Sequence, residues 1–268
     1  MSAIDRTQAL VPLPAPSSTR ARPANGTAAI LVIWLAATAP MAILAWGVAS
    51  RLIAPGDPLP GLVFWRLMVA GMAWQLVLSL IVLRLEGVPF RLAPLARRLW
   101  LTTPRWRGRP AIAAFLLVPV FAILGFVGDD LAGGWFQATA LGRELAARAP
   151  AFAFIEHLAI PEAGGRWDIL ALALASCVFN YGLGEALLFH GVLLPRMEQA
   201  WGRWAWLGNG VLFTAYHVHK FWIMPGLLIS CLCYSLPAQL FRSSWLAVLI
   251  HGLEGVVLIV AVLAVILR

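Results

Sequence analysis

The sequence predicts an all-α, polytopic transmembrane helical bundle, and three observations lead to that fold class. Of the 268 residues, 61% are hydrophobic and only 12% are charged, which is too little charge to cover the surface of a soluble domain of this size. Several apolar runs reach the roughly 20 residues that a helix needs to cross a bilayer. The net positive charge of +8 comes from arginines between those runs, as expected for a membrane protein. Binding to nucleic acid is therefore not expected.

Seven apolar segments divide the chain, and an eighth helical element within residues 134–166 is the alternative. Residues 1–26 are rich in Pro, Ala, Ser, Thr and Arg, so we expect a disordered basic arm ahead of a transmembrane domain over residues 27–268. The stretch 141–158 is expected to lie as an interfacial helix. The expected segments cover about residues 28–50, 62–85, 111–131, 167–194, 204–221, 223–241 and 245–267.

The link between the second and third segments carries the strongest topology signal. The positive-inside rule places an arginine-rich link in the cytoplasm, and with it the N-terminal arm and the links after the fourth and sixth segments. We therefore expect a multi-pass protein of the inner or plasma membrane, for a bacterial source, with a cytoplasmic N-terminus. The arginines of this link are Arg91, Arg97, Arg98, Arg105, Arg107 and Arg109.

Three ionisable side chains on three segments fall at similar depths in the membrane. Because a helix rises 1.5 Å per residue, Glu185 lies about 15 Å, His217 about 20 Å and His251 about 10 Å from the cytoplasmic ends of their segments. Charged groups at such depths cost about 2.5–3.5 kcal/mol and face a bundle interior or water rather than lipid. We therefore expect the three helices to share a water-filled cavity that is open to the cytoplasm. Glu254, three positions after His251, lies on the same helical face.

Other polar groups in the segments are expected to have simpler roles. A single histidine in a membrane helix more often forms a hydrogen bond between helices than it catalyses a reaction. His190, one turn after Glu185, can pair with that carboxylate. His219, near a segment end, is expected at the membrane interface, and Asp129 and Asp130 are expected to form an interfacial pair.

The combination of one carboxylate and two imidazoles is suited to the hydrolysis of an amide. Glu185 can deprotonate a water and pass the proton to a leaving amine. The same set can equally bind a divalent metal such as zinc, with His217, His251 and Glu185 or Glu254 as ligands and an open position for water. The sequence contains neither H-E-x-x-H nor G-x-S-x-G, the signatures of zincins and of serine hydrolases. A proton relay in a transporter would also use buried Glu and His groups.

At these residues the chain resembles the CPBP family of intramembrane proteases, which includes CAAX proteases and bacteriocin-processing (Abi) proteins. The family pattern has three blocks, E-E-x-x-x-R, F-x-x-x-H and H-x-x-x-N, on separate helices. The corresponding blocks here are EALLFH at residues 185–190, FTAYH at 213–217 and HGLEG at 251–255. The resemblance covers a peptidase core at about residues 167–260. It implies an intramembrane endopeptidase that acts on a membrane-associated peptide or protein.

The resemblance also implies a role for each matching residue. Glu185 corresponds to the glutamate that activates water, and His217 and His251 correspond to the two histidines of the site. Two of the departures lie in the first block, where Ala186 replaces the second glutamate and His190 replaces the arginine. A histidine can supply a cation only when it is protonated, unlike a guanidinium.

The third departure affects stabilisation of the oxyanion. Gly255 stands where the family pattern has an asparagine, and an oxyanion donor is worth about 2.7–4 kcal/mol. Asn180 and Asn209 are the candidate replacements, whereas the neighbouring carboxylate of Glu254 would repel an oxyanion.

Two alternatives stay open beside the peptidase. One is a catalytically impaired pseudoprotease that binds membrane peptides or partner proteins, which the three departures favour. The other is a proton-coupled transporter, although the sequence has no broken helix pair and no two-half symmetry. A prenylated C-terminus, a bacteriocin leader peptide and a membrane-protein tail are all compatible substrates, and the sequence does not specify an oligomeric state.

Overall fold

The computed structural model describes residues 26–154 and 158–268, so the expected N-terminal arm lies outside the described residues. The described chain is an all-α helical bundle, which confirms the predicted fold class. Within these residues, five helical runs are long and apolar enough to cross a membrane, and they support an integral membrane protein.

The long helices correspond to the predicted apolar segments but are joined differently. The helices of the fourth and fifth segments are joined by the short 3₁₀ turn Gly202–Trp204, and the sixth segment is a shorter apolar helix. In chain order, the bundle helices are α1 Gly26–Leu52, α2 Pro60–Leu85, α3 Leu92–Arg98, α4 Leu117–Ala138, α5 Ala140–Ala147, α6 Trp167–Cys177, α7 Leu194–Trp201, α8 Ala205–Tyr216, α9 Met224–Leu240 and α10 Ser244–Ile266. A 3₁₀ turn, His217–Lys220, continues α8.

The arginine-rich link forms a cap on one end of the bundle, which we name the arginine end (residues 86–111, 202–204 and 241–243). The link contains α3 and an antiparallel hairpin of β1 Arg105–Trp106 and β2 Arg109–Pro110. The backbone N–H of Arg105 donates to Phe241 O at 2.8 Å, and the N–H of Ser244 donates to Trp100 O at 2.9 Å. These bonds attach the link to the junction between α9 and α10.

An ion-pair network reinforces the arginine end. The Arg98 guanidinium donates two hydrogen bonds to the Glu86 carboxylate, at 2.6 and 2.7 Å, in the bidentate geometry that gives the strongest pairs. Arg196 lies 3.2 Å from the same carboxylate. Arg98 also donates to Val192 O at 3.2 Å, so the network joins the link to the end of the fourth predicted segment.

The other end of the bundle, which we name the far end, consists of residues 53–59, 139–154, 158–166 and 221–223. There the N–H of Gly165 donates to Ile266 O at 2.8 Å, and Gln137 Nε2 donates to Trp222 O at 3.4 Å. The far end therefore brings together the ends of α4, α8 and α10.

The third predicted segment and the predicted interfacial helix both differ from the structure at their boundaries. The helix α4 continues to Ala138, beyond the predicted end at residue 131. Within the described part of the stretch expected as an interfacial helix, Ala140–Ala147 is α-helical and Ala151–Ala153 forms a 3₁₀ turn. Thr139 separates the two helices, because its side chain accepts a hydrogen bond from Gly142 N at 3.0 Å and caps α5.

Close helix packing places α9 at the centre of the bundle. Gly210 of α8 allows close approach, since a Cβ at this position would lie 2.6 Å from the Leu232 side chain of α9. On its other side, Ser230 of α9 donates to Gly125 O of α4 at 3.2 Å. Small residues and interhelical hydrogen bonds of this kind are typical of membrane helix interfaces.

Candidate active site

A cavity of about 400 Å³ lies between the helices, and the four predicted metal ligands all line it. Glu185, His217, His251 and Glu254 come from three parts of the chain that are distant in sequence. Their common cavity is what the depth estimate predicted. The other polar side chains that line it are Asp129, Ser176, Asn180, Tyr181, His219, Lys220, Ser230, Cys231 and Tyr234.

Two π-helical turns, Val178–Leu183 and Leu187–Leu193, flank Glu185. Such turns widen the helix and are frequent at functional sites. Between them Gly184 presses against α2, because a Cβ at this position would lie 2.5 Å from Met72 O. The local helix geometry and this contact together direct Glu185 into the bundle, where the residue is 3% exposed.

A relay of hydrogen bonds orients the Glu185 carboxylate. Tyr216 OH donates to Glu185 Oε1 at 2.8 Å, and Gln75 Nε2 donates to Tyr216 OH at 2.7 Å. All three side chains are buried. Hydrogen bonds to a charged group are worth about 1.5–3 kcal/mol, so this relay fixes one carboxylate oxygen and leaves the other facing His217.

His217 presents one ring nitrogen to Glu185. Its Nδ1 lies 2.8 Å from Phe213 O, and since a carbonyl can only accept, Nδ1 is the donor. The Nε2 atom is then an acceptor in the neutral ring and lies 4.0 Å from Glu185 Oε2. A water within about 2.8 Å of both atoms would donate a hydrogen bond to each, which leaves a lone pair of its oxygen for attack.

His251 and Glu254 form a second pair on α10. His251 Nε2 lies 3.8 Å from Glu254 Oε2, and the Tyr234 hydroxyl donates to the other carboxylate oxygen of Glu254. The His251 ring stacks on Tyr234 with centroids 4.7 Å apart and meets Tyr181 edge-on at 4.7 Å. Packing on two sides therefore fixes the orientation of this imidazole.

Phe213, the first residue of the second motif block, holds the histidines in place. Its ring centroid lies 5.1 Å from that of His217, 5.8 Å from that of His251 and 5.4 Å from that of His190. It is 1% exposed. The phenylalanine of the F-x-x-x-H block therefore acts as the common packing surface of the imidazoles.

Tyr181 occupies the space that a side chain at position 255 would need. A Cβ on Gly255 would lie 2.8 Å from two ring carbons of Tyr181 and 3.2 Å from Cys177 Sγ. The tyrosine ring therefore fills the place where the family pattern has an asparagine. Its hydroxyl has no hydrogen-bond partner among the described residues and lines the cavity.

Two of the predicted supporting residues do not reach the cavity. Asn209 donates to Phe189 O at 2.8 Å and accepts from Ser235 Oγ at 2.8 Å, so its amide is engaged between helices. His190 is fully buried, with Phe213 and Asn209 as neighbours, and its backbone carbonyl accepts a hydrogen bond from the Ser244 hydroxyl. It does not pair with Glu185.

Three other polar residues lie at the cavity. Asn180 lines it, and its Oδ1 is buried without a hydrogen-bond partner among the described atoms. The prediction of an interfacial His219 is wrong, because the residue is 3% exposed and its ring lies 5.5 Å from that of His217. Asp129 also lines the cavity, so it does not form a simple interfacial pair with Asp130.

The donor arrangement does not fit a metal centre. Among the described residues, no group of three His, Cys, Asp or Glu side chains lies close enough together to hold a metal ion. The four predicted ligands are divided into two pairs, Glu185 with His217 and His251 with Glu254. A catalytic zinc takes three protein ligands at about 2.0–2.2 Å from nitrogen or oxygen atoms.

The prediction from the sequence motifs did not include the tyrosine hydroxyls and the one glutamine amide of the site. The chain has only three tyrosines, and Tyr181, Tyr216 and Tyr234 all contact its ionisable groups. Gln75 is a lone amide within the second apolar segment, and it belongs to the Glu185 relay. The signal that could have found them is a scarce polar group in an apolar helix, since such a group needs a partner.

The cavity extends from the middle of the bundle toward the far end. Its residues on α2 run from Phe64 to Met72, near the beginning of that helix, and those on α10 run from His251 to Ala261. No lining residue belongs to the arginine end. The lining residues do not include the arginine-rich link, and the expectation of a cavity open to the cytoplasm stays a prediction.

Comparison with protein families matches residues 166–257 to a family described as type II CAAX prenyl endopeptidase Rce1-like. These residues include all three motif blocks, so the resemblance to the CAAX proteases is confirmed there. The match supports protease activity for the chain. Comparisons with curated proteins and with solved structures give no match.

Proposed function

We propose that the chain, which matches the CAAX endopeptidase family over residues 166–257, is an intramembrane endopeptidase whose nucleophile is a water activated by Glu185 and His217. The substrate is a peptide or protein associated with the membrane, and the bond cleaved lies near the end of its membrane segment. The observation that carries this proposal is the carboxylate–imidazole pair, 4.0 Å apart, within a cavity inside the bundle.

The first step is attack by the water on the scissile carbonyl. Glu185 Oε2 accepts one proton of the water while His217 Nε2 holds the other hydrogen, and the water oxygen forms a bond to the carbonyl carbon. The electron pair of the carbonyl moves to its oxygen and gives a tetrahedral oxyanion. Tyr216 holds Glu185 Oε1 at 2.8 Å throughout, so the carboxylate keeps its orientation.

The second step returns the proton to the leaving group. The carboxyl of Glu185 donates its proton to the amine nitrogen as the C–N bond breaks, which regenerates the carboxylate and releases a new carboxyl end and a new amino end. General acid–base catalysis of this kind contributes about 10²–10⁴-fold in rate.

The oxyanion needs a donor, and the Tyr181 hydroxyl is the best placed. The Tyr181 ring lies beside His251 at 4.7 Å, and the residue lines the cavity together with Glu185. Its hydroxyl has no other hydrogen-bond partner among the described residues. We propose that Tyr181 replaces the missing asparagine in this role, and that His251 packs against it as its positioning residue.

A comparison of peptide termini in cells tests the proposal without a guess at the substrate. Cells that express wild type or Glu185→Gln are compared, with Glu198→Gln as a matched control in a carboxylate that pairs with Arg242 outside the cavity. We expect new termini near the ends of membrane segments in wild type and in the control only. Identical termini in all three, at equal amounts of inserted protein, would favour the pseudoprotease.

A further inference from the structure

Another cavity of the bundle lies at the arginine end, away from the candidate active site. It is a surface groove of about 690 Å³ between the turn that joins α7 to α8 and the end of α9. The described residues that line this groove are all different from those that line the cavity around Glu185. A ligand in the groove therefore would not contact the reacting groups.

A buried glutamine fixes the shape of the groove. Gln239 is 8% exposed. Its Oε1 accepts from the backbone N–H of Trp206 at 2.6 Å, and its Nε2 donates to Gly202 O at 3.0 Å. The side chain thus joins the end of α9 to the turn between α7 and α8. A groove held open in this way has less entropy to lose when a ligand binds.

The groove carries more positive than negative charge. Of the described residues that line it, Arg203 and Arg242 are basic and only Glu198 is acidic. The Arg203 guanidinium carbon lies 5.1 Å from the centroid of the Trp204 ring, a contact that holds the side chain at the turn. Arg242 Nη2 lies 3.3 Å from Glu198 Oε2, and an ion pair as exposed as this one adds little stability. The groove therefore favours an anion.

Arg242 has a backbone conformation that normally belongs to glycine. It follows the last residue of α9 and has a φ of +46°. Helices often end with glycine in this left-handed conformation, because a Cβ is disfavoured there. The Arg242 side chain is 64% exposed, so it does not offset that cost by packing in the core. An exposed arginine at such a position points to a role for its guanidinium outside the fold.

The other wall of the groove is apolar and belongs to the lipid-facing part of α9. Leu236 and Leu240 line it, and their spacing of four places them on one face of the helix. Leu240 is 45% exposed. Nearby Trp204 and Trp245 are 55% and 42% exposed, as is typical of tryptophans at a membrane interface. The groove therefore combines guanidinium groups at the interface with an apolar wall along a membrane helix.

We propose that this groove binds an anionic phospholipid. Arg203 and Arg242 donate hydrogen bonds to the phosphate oxygens of the headgroup, and an acyl chain lies along Leu236 and Leu240. Guanidinium groups match the geometry of phosphate, and basic pockets at the ends of membrane helices bind such headgroups. A soluble phosphate would satisfy the arginines but would leave the apolar wall without a partner. The proposal does not rest on the proposed peptidase function.

Thermal unfolding of the purified full-length chain in a neutral detergent tests the proposal. A ligand that binds only the folded protein raises its unfolding temperature. We expect phosphatidylglycerol to raise the unfolding temperature, and phosphatidylcholine or inorganic phosphate to leave it unchanged. In Arg203→Gln and in Arg242→Gly, the lipid concentration that gives half of the rise should increase about 10-fold or more, because each variant loses hydrogen bonds to a charged group. The matched control is Arg91→Gln with Arg97→Gln, which removes exposed arginines of the same end and should respond like wild type.

Arg242→Gly separates binding from folding. Because glycine is favoured at this φ, we expect its unfolding temperature without lipid to be no lower than that of wild type. A wild-type response of both Arg203→Gln and Arg242→Gly to phosphatidylglycerol would overturn the proposal, and so would the absence of any rise in wild type. An equal rise with phosphatidylcholine would show that the headgroup is not recognised. An equal rise with inorganic phosphate would make the ligand a soluble anion and would also overturn it.

Discussion

Each carboxylate of the candidate site accepts a hydrogen bond from a tyrosine that the family pattern does not specify. Glu185 accepts from Tyr216, and Glu254 accepts from Tyr234. His217 is oriented by the backbone of its own helix, through Phe213 O. Roles at the scale of single residues can therefore be tested by removing one hydroxyl at a time.

Tyr216→Phe removes the hydrogen bond to Glu185 and keeps the aromatic packing. Because a hydrogen bond to a charged group is worth about 1.5–3 kcal/mol, we expect kcat to fall about 10- to 100-fold. Tyr216 is fully buried and does not line the cavity, so KM should stay unchanged. Steady-state kinetics on a cleaved peptide measure both constants, and a change confined to KM would contradict the positioning role.

Tyr181→Phe removes the proposed oxyanion donor and keeps the ring beside His251. An oxyanion donor contributes about 2.7–4 kcal/mol, so kcat should fall about 10²–10³-fold. Tyr234→Phe is the comparison, since that hydroxyl donates to Glu254 instead. A Tyr181→Phe enzyme with wild-type kcat would exclude Tyr181 as the donor.

Gly255→Asn alone restores the residue of the family pattern but not its room, because the Cβ of the new side chain would lie 2.8 Å from ring carbons of Tyr181. We expect this variant to be less stable than wild type and to show no gain in activity. The double variant Gly255→Asn with Tyr181→Ala has room for the asparagine, so it should be more active than Tyr181→Ala alone. Thermal unfolding in detergent and the cleavage rate measure the two effects, and full stability of Gly255→Asn would contradict the packing account.

At the scale of secondary-structure elements, the irregular helix around Glu185 sets the position of the carboxylate. Gly184 lies between its two π-helical turns and contacts the backbone of α2 at Met72. The placement of Glu185 therefore depends on the separation of two helices. A small change at this contact should move the carboxylate relative to His217.

Gly184→Ala introduces a methyl group 2.3 Å from Phe179 O of the preceding turn and 2.5 Å from Met72 O of α2. Overpacking typically costs about 1–3 kcal/mol, so we expect a lower unfolding temperature and a lower cleavage rate. Gly182→Ala is the matched control, because a Cβ there has nothing within 4 Å. Equal stability and activity of the two variants would show that the contact with α2 does not position Glu185.

The apolar pattern was enough to predict the helices of the bundle. Segment two was predicted at residues 62–85 and lies at Pro60–Leu85; segment seven was predicted at 245–267 and lies at Ser244–Ile266. A hydrophobic run of bilayer length has only one stable backbone structure in lipid, which is why these predictions hold. The π-helical turns near Glu185 escaped prediction because they depend on packing against α2.

The candidate site was predictable in part because the predicted helices have regular geometry. Depth along a helix follows from residue counting, so Glu185, His217 and His251 could be placed at one level. Residue counting gives no rotation of a helix about its axis, and for that reason Asn209 was expected at the cavity although it bonds to Phe189 O and Ser235. Residue counting also does not show which end of the bundle is capped by the segments that connect its helices.

At the scale of the whole molecule, the bundle combines a basic, capped end with a cavity that extends from its middle toward the far end. The helices that carry the motif blocks line the cavity together with α2 and α4. This arrangement separates the ionisable groups from lipid while keeping them within reach of a membrane peptide. The reaction can therefore proceed in water that the bundle itself encloses.

Treatment with a metal chelator tests whether cleavage requires a bound metal ion. Since Glu185 with His217 and His251 with Glu254 form two separate pairs rather than one ligand set, we propose that cleavage is independent of metal. We expect the purified protein to keep its cleavage rate after dialysis against a chelator. Loss of activity that zinc restores would contradict this and would indicate that the pairs close around an ion.

The central claim, that Glu185 activates the attacking water, is tested most directly with purified protein in lipid vesicles. Wild type, Glu185→Gln and the control Glu198→Gln are incubated with peptides from solubilised membranes, and new C-termini are counted by mass spectrometry. The account predicts cleavage by wild type and Glu198→Gln, and a rate at least about 10²-fold lower for a folded Glu185→Gln. Cleavage by Glu185→Gln at the wild-type rate would contradict it.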